Sequence, residues 1–495
     1  MSHYERAATR ERSTFFGHPR GLAVLFGTEM WERFSYYGLS GILLLFLQAP
    51  AAQNGLGLDA TTAVPIASIY SGAVYLTALP GGWLADRVLG PRRGVLVGGI
   101  IIMCGHLSMA IPIEGPSTIF LGLFLIIVGS GLLKPNISVM VGRLYDGDTD
   151  ARRDSGFSVF YMGINIGALL GILVTPYLAG DDRWHLGFGA AAVGMALGLL
   201  WYVRGWPRLK GTGVGPGRPL TETEKRKVGR ICVWGGLALA AAIAIWAATG
   251  TLTFQSVPRV ITAVAIVAAV WYFVYIFGQA GDITEAETAG LRAYVGLFIA
   301  AVVFWMLYLQ MNSVLTEFAS SSVDLGAWGF DLPAGEVQNF NSIFILIFAP
   351  VFGALWIKLG DGFGATRKFA LGLALVGAAY LLLGVLQGRA DGGVLIGLTW
   401  MALVYLLLTF GELSLSPVGL SVTVKLAPTK LKGQMMGVWF LAPAVGTPLG
   451  GQAYAYITPR WGEQAFFYIL AALALATAVV LVAMAPRLNR LMTRT

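Results

Sequence analysis

Residues 21–49 read GLAVLFGTEMWERFSYYGLSGILLLFLQA, an apolar stretch long enough to cross a lipid bilayer. Three ionisable side chains interrupt it: Glu29, Glu32 and Arg33. An ionised group at the bilayer centre costs at least about 2.5–3.5 kcal/mol, so such residues in a membrane helix usually have a function. The stretch therefore predicts a transmembrane helix with one face on a polar cavity.

The rest of the chain repeats this apolar pattern. Of its 495 residues, 56% are hydrophobic and only 12% are charged, and the mean hydropathy is +0.70. A water-soluble domain carries about 25% charged residues. We therefore predict an all-α membrane protein with fourteen spans. The apolar stretches lie near 21–49, 60–86, 94–113, 117–142, 156–179, 187–205, 231–250, 259–279, 290–318, 337–357, 368–387, 394–424, 433–457 and 465–485.

The basic residues predict the orientation of the spans. The net charge is +8, and 28 of the 34 Lys and Arg residues fall in, or within three residues of, the termini and alternate loops. Cytoplasmic loops are enriched in Lys and Arg, so we expect both termini in the cytoplasm and the chain in the plasma membrane. This bias explains the basic charge without a nucleic-acid partner.

Residues 1–20 lack the apolar core of a cleavable signal peptide. The two cysteines, Cys104 and Cys232, predict neither a disulfide framework nor a metal site.

A polar stretch rich in Gly and Pro follows the first six spans. Two further spans come next, and a second set of six follows them. Paired six-helix bundles predict the major-facilitator fold, whose substrate site lies between the bundles near mid-membrane. The predicted domains are a cytoplasmic N-terminus (1–20), a first six-helix bundle (21–206), a cytoplasmic linker (207–230), two additional transmembrane helices (231–288), a second six-helix bundle (289–486) and a cytoplasmic C-terminus (487–495).

A loop that recurs in both sets of six supports this division. In GGWLADRVLGPRR, Asp86 precedes Arg92 and Arg93 by six and seven residues. The same spacing recurs at Asp361, Arg367 and Lys368. These side chains could also be ordinary basic loop residues, and that alternative is strongest for the second copy.

The charges of the first span share one helical face with two aromatic residues. Spacings of three and four residues place Glu29, Glu32 and Arg33 together, and Tyr36 and Tyr37 continue the face by one turn. We expect this face to line a wet cavity. The alternative is a structural Glu–Arg pair that orders helix packing.

Two further charges lie within apolar stretches, each close to a proline. Lys134 occurs in GSGLLKPNIS beside Pro135, and Glu412 occurs in FGELSLSPVG before Pro417. A lone buried carboxylate is expected to be protonated or paired, and we predict an ion pair between Lys134 and Glu412 across the two bundles. The alternatives are a lysine that reaches towards the headgroups and a structural carboxylate.

Uncharged polar and aromatic residues form a second layer of site candidates. Hydrogen bonds between helices explain the polar ones equally well, and packing or interface anchoring explains the tryptophans. The candidates are Asn165, Gln310, Asn312, Gln338, Asn341, Trp305 and Trp439.

These residues occur in patterns that resemble the proton-dependent oligopeptide transporter (POT/PTR2) family of the major facilitator superfamily, in its bacterial fourteen-helix type. The resemblance covers nearly the whole chain. Its patterns are ExxERFxYYG at 29–38, GGxLAD at 81–86, FYxxINxG at 160–167 and ELxLSPxG at 412–419.

The resemblance implies a role for each matched residue. Glu29, Glu32 and Arg33 are expected to couple protons, Arg33 and Lys134 to meet the peptide carboxylate, and Glu412 to meet the peptide amine. The remaining substrate-binding candidates are expected to form pocket walls: Tyr36, Tyr37, Tyr75, Asn165, Trp305, Asn341 and Trp439.

The chain departs from the family pattern at two places. Leu39 and Ser40 stand where the family commonly has Met-Arg, and Leu309 stands where it commonly has Glu before Gln310. Two opposite charges are missing together, so neither partner is left alone. This puts the usual protonation site of that later span in doubt and favours Glu29 and Glu32 as the proton site.

We therefore predict a symporter that imports di- and tripeptides with protons by alternating access. The coupling ion is the proton, no cofactor is expected, and the expected partners are the peptide, protons and the bilayer, with a monomer as the working unit. The alternative within transporters is another small substrate, such as nitrate, a peptide-like drug or an amino-acid conjugate. A membrane enzyme is disfavoured because no metal-ligand cluster, nucleophile–base set or phosphate loop is evident, and because the lipid-embedded position of Glu29 and Glu32 and the matching charge in the other half favour transport. A peptide-sensing receptor without transport is also disfavoured, and uptake into liposomes would exclude it.

Overall fold

The computed structural model of the protein describes residues 15–113, 115–278, 284–326, 329, 331–360, 363–428 and 432–492. The expectations for the first fourteen residues, the last three residues and Asp361 lie outside this part. The α-helices are α1 (Arg20–Gln48), α2 (Ala60–Leu84), α3 (Pro91–Ala110), α4 (Ser117–Arg143), α5 (Asp150–Ala179), α6 (Trp184–Gly205), α7 (Glu222–Ala248), α8 (Ser256–Gly278), α9 (Glu285–Tyr308), α10 (Val314–Ser322), α11 (Asn339–Leu359), α12 (Ala365–Asp391), α13 (Leu398–Leu426) and α14 (Lys432–Met492). Two short parallel strands also pair, β1 (Val323–Asp324) with β2 (Ile396–Gly397).

The number of membrane-length helices agrees with the sequence. In the described residues, twelve helical segments are long and apolar enough to cross a membrane. α1 is a further 29-residue helix outside that set, and Gly462, with φ 82°, divides α14 into two helices. These ranges therefore contain fourteen membrane-length helices, which confirms the predicted span count and all-α class.

Prolines interrupt the helices beside two of the predicted charges. Pro135 lies inside α4 next to Lys134, and Pro417 lies inside α13 five residues after Glu412. A proline within a helix removes a backbone hydrogen bond and bends the helix. Each charged residue thus lies on a helix that can bend close to that residue.

The Cα positions divide the chain into two compact units. The first contains the described residues up to Leu39 together with Thr77–Ala179 and Arg183–Ala248. The second contains Ser40–Leu76, Gly180–Asp182 and the described residues from Thr249 onwards. The predicted domain boundaries remain a prediction.

Small residues bring helices of the first unit into close contact. A Cβ at Gly98 of α3 would lie 2.7 Å from the Gly129 carbonyl oxygen of α4. A Cβ at Gly167 of α5 would overlap the Met30 carbonyl oxygen of α1. Membrane helices pack closely at such small residues, and the Gly167 contact places α5 directly against the charged part of α1.

In the second unit, the segment Ser40–Leu76 packs against later helices by the same means. A Cβ at Gly72 would lie 2.7 Å from Pro448 Cδ, and one at Gly335 would overlap the Gly41 carbonyl oxygen. Ser68 Oγ donates to Gln310 Oε1 at 3.0 Å. The C-terminal end of α1 and the first part of α2 are therefore held in this unit by close contacts and neutral hydrogen bonds.

The two additional helices differ in burial. α7 has no buried residue over its 27 residues. α8 buries Ala265, Ala269 and Ile276, and it packs on α14. Because α7 is apolar along most of its length and unburied, lipid is the solvent its surface requires.

The loop motif of the first set contacts the linker that follows α6. The Arg92 guanidinium donates to the Lys210 carbonyl oxygen at 2.8 Å and lies 5.5 Å from the Trp206 ring centroid. The Asp86 carbonyl oxygen accepts from the Arg218 amide at 3.1 Å. Asp86 and Arg92 therefore hold the linker, while Arg93 has no contact of this kind in the described residues.

A polar contact also fixes the first described residues to the first unit. The Tyr145 hydroxyl and His18 Nδ1 are 2.9 Å apart, and Ser155 Oγ and His18 Nε2 are 3.3 Å apart. Burial raises the pKa of Tyr145 to about 12 against the opposing charge of Arg152, so the phenol donates at neutral pH. Burial first, and the Arg152 charge second, lower the pKa of His18.

Candidate functional site

Two carboxylates share one guanidinium on α1. Arg33 Nε lies 3.0 Å from Glu29 Oε1 and 2.5 Å from Glu32 Oε2. All three side chains are at most 3% exposed. The sequence prediction that they share a face is therefore confirmed in geometry, and the cluster carries an excess of one negative charge when all three groups are ionised.

The ion pairs leave polar atoms of this cluster without partners. Arg33 Nη2, Glu29 Oε2 and Glu32 Oε1 are buried and make no hydrogen bond within the described ranges. An unsatisfied buried polar atom costs about 1–3 kcal/mol, and more when it is charged. These atoms are therefore available to a proton, a water molecule or an anionic ligand group.

A second cation and two aromatic rings surround this cluster. Lys134 of α4 lies close enough to act electrostatically on Glu29. The Arg33 guanidinium lies 5.3 Å from the Tyr36 ring centroid, and Tyr36 meets Tyr37 edge-on at 5.1 Å. Six of the predicted residues are thus brought together in the first unit: Glu29, Glu32, Arg33, Tyr36, Tyr37 and Lys134.

Glu412 lies in a hydrogen-bond network of the second unit. Its Oε2 accepts from the Tyr308 hydroxyl of α9. Asn341 Nδ2 of α11 donates to the Tyr308 oxygen at 3.1 Å and to Thr409 Oγ1 at 3.0 Å. Glu412 and Asn341 are therefore joined through one phenol, which orients the carboxylate.

Aromatic side chains lie around this network and elsewhere in the second unit. Trp305 meets Tyr308 edge-on at 5.5 Å, and its indole Nε1 is buried without a partner in the described ranges. Tyr75 stacks on Phe440 at 6.2 Å. Trp439 is buried, and its ring fills the space that a Cβ at Gly419 would occupy.

Several polar candidates make structural hydrogen bonds, and those of Gln310 and Gln338 join different helical segments, as the alternative interpretation expected. Asn165 Nδ2 donates to the Tyr161 carbonyl of its own helix at 3.0 Å. Gln310 Nε2 donates to the Thr447 carbonyl at 2.9 Å. Gln338 Nε2 donates to Thr316 Oγ1 at 2.9 Å. Asn312 is also buried, and its Oδ1 has no hydrogen bond in the described part of the chain.

The structure adds Tyr308 and Thr409 to the site, which the sequence analysis did not single out. Tyr308 follows Trp305 by three residues, so both lie on one face of α9. That spacing was a usable signal. Thr409 precedes Glu412 by three residues on α13, but a threonine in an apolar helix usually bonds its own backbone, as Thr409 also does at 2.8 Å to Tyr405.

Lys134 belongs to the first unit and Glu412 to the second. Their predicted ion pair remains a prediction. Among the described residues, no three His, Cys, Asp or Glu side chains are grouped so that they could hold a metal ion.

A family model described as POT family matches residues 92–462. The chain belongs to the POT family. It is 38% identical over 501 residues to the di-/tripeptide transporter of Lactococcus lactis subsp. cremoris, covering 98% of each chain. Its fold matches a crystal structure of a peptide transporter POT in complex with sulfate with a TM-score of 0.93 and 40% identity, covering 99% of each chain. It also matches a POT family transporter in complex with 5-aminolevulinic acid with a TM-score of 0.91 and 36% identity, covering 96% of this chain and 98% of that one.

Membership in the POT family confirms the resemblance inferred from the patterns at 29–38, 81–86, 160–167 and 412–419. It also confirms the predicted fold class, and it places the chain in a family of multi-pass membrane transporters. The roles of individual residues stay predictions.

Proposed function

We propose that this chain is a symporter that imports di- and tripeptides together with protons by alternating access. One observation carries the proposal: the buried cluster on α1 holds two carboxylates against one guanidinium. Such a cluster can take up one proton and become neutral. Its relative from Lactococcus lactis, which carries the name di-/tripeptide transporter, supports the substrate class.

The charges of the site explain why transport would require a proton. With Glu29, Glu32, Arg33, Lys134 and Glu412 ionised, the net charge is −1. One proton makes the set neutral, and a zwitterionic peptide leaves it neutral. Closing charged groups away from water is costly, so closure is favoured when the proton is present.

The proton is proposed to bind at Glu29 or Glu32. Protonation of either carboxylate removes one of the two ion pairs to Arg33. The released guanidinium, with Lys134, can then bind the peptide carboxylate; charge-assisted hydrogen bonds of this kind are about twice as strong as neutral ones. Lys134 and Glu412 would pair with each other when the empty site returns.

The Glu412 network is proposed to bind the peptide amine. The carboxylate is held by Tyr308, and Asn341 is held by the same phenol. Recognition of the two chain ends leaves the peptide side chains to aromatic walls such as Tyr75 and Trp305. Broad selectivity with a limited peptide length follows.

The remaining properties complete the proposal. The chain acts as a transporter rather than an enzyme, as a monomer in the plasma membrane with both termini in the cytoplasm, and it uses protons without a cofactor. One proton and one neutral peptide move positive charge inward. The membrane potential then contributes about 2.3 kcal/mol per charge per 100 mV.

Uptake by purified protein in liposomes tests this function. We expect a labelled dipeptide to accumulate above its external concentration only when the external pH is lower than the internal pH. Exchange of labelled for unlabelled dipeptide needs no proton gradient and serves as the control for folded protein. Accumulation that is unaffected by collapsing the proton gradient with an ionophore would refute proton coupling.

A second candidate is a different small zwitterion, because a related transporter binds 5-aminolevulinic acid. That molecule carries an amine and a carboxylate, as a peptide does. Competition of dipeptide uptake by 5-aminolevulinic acid, nitrate, free amino acids and tripeptides distinguishes the two. Strong inhibition by tripeptides and weak inhibition by the others favours peptides.

A further inference from the structure

The first turns of α7 carry a cluster of basic side chains that the transport mechanism does not use. We infer that Arg226, Lys227 and Arg230 bind the phosphate of an anionic phospholipid in the leaflet facing the cytoplasm. Their side chains, together with those of Glu222, Thr223 and Ile231, line an open surface region at the start of α7.

The acidic residues of these turns are already engaged. Glu222 Oε1 lies 2.6 Å from Lys225 Nζ, and Glu224 Oε1 lies 2.6 Å from Arg87 Nη2. Arg226, Lys227 and Arg230 are exposed and have no ion-pair partner in the described part of the chain. Three positive charges on adjacent positions of one helix are thus left for an external anion.

The linker fixes these charges in place. The Arg218 amide donates to the Asp86 carbonyl at 3.1 Å, and the Leu220 amide donates to the Arg87 carbonyl at 3.2 Å. Thr221 and Glu224 cap the start of α7 through reciprocal hydrogen bonds of 2.9 and 3.3 Å. The base of α7 is therefore ordered before any ligand binds, which lowers the entropic cost of binding.

The length of α7 places the cluster at the headgroup layer. Residues 231–248 carry no charge and span about 27 Å as a helix, close to the roughly 30 Å hydrocarbon core. Arg230 and the residues before it then lie at the membrane surface. Trp234, one turn further, is 69% exposed, as expected for an indole at the interface.

The surrounding surface favours a lipid over a soluble phosphate. α7 has no buried residue, so acyl chains can lie along its apolar surface while the phosphate meets the cations. Clusters of four to eight Lys and Arg residues directly cytoplasmic of a membrane helix typically recognise anionic lipids. From Arg218 to Arg230 the chain carries five basic residues, and the four that remain when Lys225 pairs with Glu222 form such a cluster.

Native mass spectrometry of the full chain in detergent tests the inference. The probes are phosphatidylglycerol and phosphatidylcholine with identical acyl chains. The variant Arg226→Gln/Lys227→Gln/Arg230→Gln removes the cluster, and the matched control Lys358→Gln/Lys425→Gln/Arg487→Gln removes three exposed cations elsewhere. Each cation that meets the lipid phosphate is expected to contribute roughly fivefold in anionic-lipid affinity. The cluster variant should therefore lose at least about tenfold, whereas the control, whose three cations lie away from this phosphate, should lose less than about twofold.

Two outcomes would overturn the inference. One is an equal loss, or no loss, in the cluster variant and the control. The other is displacement of phosphatidylglycerol by equimolar glycerol 3-phosphate or inorganic phosphate, which would show a soluble-phosphate site. Neither measurement depends on transport, so failure here leaves the proposed function untouched.

A second measurement keeps all three cations. Cys232 is exposed two residues after Arg230, and the other cysteine, Cys104, can be changed to serine. A fluorophore on Cys232 of Cys104→Ser protein should be quenched more by phosphatidylglycerol that carries a quencher than by the equivalent phosphatidylcholine. Equal quenching by both lipids would refute the site even if the cluster variant could not be purified.

Discussion

The charges of the α1 cluster predict how substitutions of Glu29 and Glu32 change the stability of the protein. Glu29→Gln or Glu32→Gln leaves one carboxylate beside Arg33, a neutral pair. The double change leaves the buried guanidinium with neither carboxylate. Removing the partner of a buried charge costs about 3–5 kcal/mol. The double variant should therefore lose far more stability than the two single variants lose together.

The geometry sets the size of each effect. Arg33 Nε lies 3.0 and 2.5 Å from the two carboxylates, and the three side chains are almost completely buried. Each single substitution removes an excess negative charge as well as one attraction to Arg33. We therefore expect each to alter the free energy of unfolding by no more than about 1 kcal/mol. The double-mutant cycle should therefore show a coupling of about 3 kcal/mol.

Thermal unfolding in detergent measures this coupling. For a unit of about 200 residues, 3 kcal/mol corresponds to a midpoint shift of at least about 5 °C. Glu222→Gln is the matched control, because Glu222 pairs with Lys225 at the surface and such pairs contribute about 0–1 kcal/mol. Additive effects of the two changes on the midpoint would refute the shared-cation arrangement.

The same single variants separate proton coupling from peptide binding. Each single variant should lose accumulation against a gradient while it keeps dipeptide exchange, since exchange moves no net proton. Accumulation at the wild-type level in both variants would exclude these carboxylates as the proton site.

Four other predictions follow from the structure. Lys134→Ala and Glu412→Ala should each reduce dipeptide uptake in liposomes to background because each removes one of the two end-binding charges; full uptake by either variant would contradict that geometry. Tyr308→Phe should raise KM at least about threefold for peptides with a free amine, from the loss of one hydrogen bond to a charged group, with less effect on N-acetylated peptides. Gly167→Leu should lower the thermal midpoint by more than Gly189→Leu, because only Gly167 lies against the α1 backbone. The lowered pKa of His18 means that its stabilising contribution is full above about pH 6.5 and is lost as the pH falls through its folded pKa; the midpoint of wild type should therefore fall more than that of His18→Gln between pH 8 and pH 5.

The sequence determined the fold class because the hydrophobic length of each segment is a local property. Fourteen apolar stretches become fourteen membrane-length helices in the described residues, since a backbone in lipid must bond within its own helix. The grouping of Glu29, Glu32 and Arg33 was equally local. Residues three and four apart on a helix must share a face, whatever surrounds them.

Patterns within single segments also located most of the other site candidates. Lys134 and Glu412 stood out because an ionisable group is costly in an apolar helix. Asn165 and Gln338 stood out for the same kind of reason, yet their amides bond to Tyr161 and Thr316. A polar residue type predicts that a partner exists and does not predict which one.

Only the tertiary structure decided which residues from distant segments meet. Tyr308 and Asn341 join at one phenol beside Glu412, although 104 residues separate the tyrosine from the carboxylate. The linker's contact with Asp86 and Arg92, and the absence of buried residues in α7, likewise depend on how helices pack. Helix formation in lipid is set by each segment's own backbone and hydrophobicity, whereas contacts between helices depend on the shapes and polar groups of both partners.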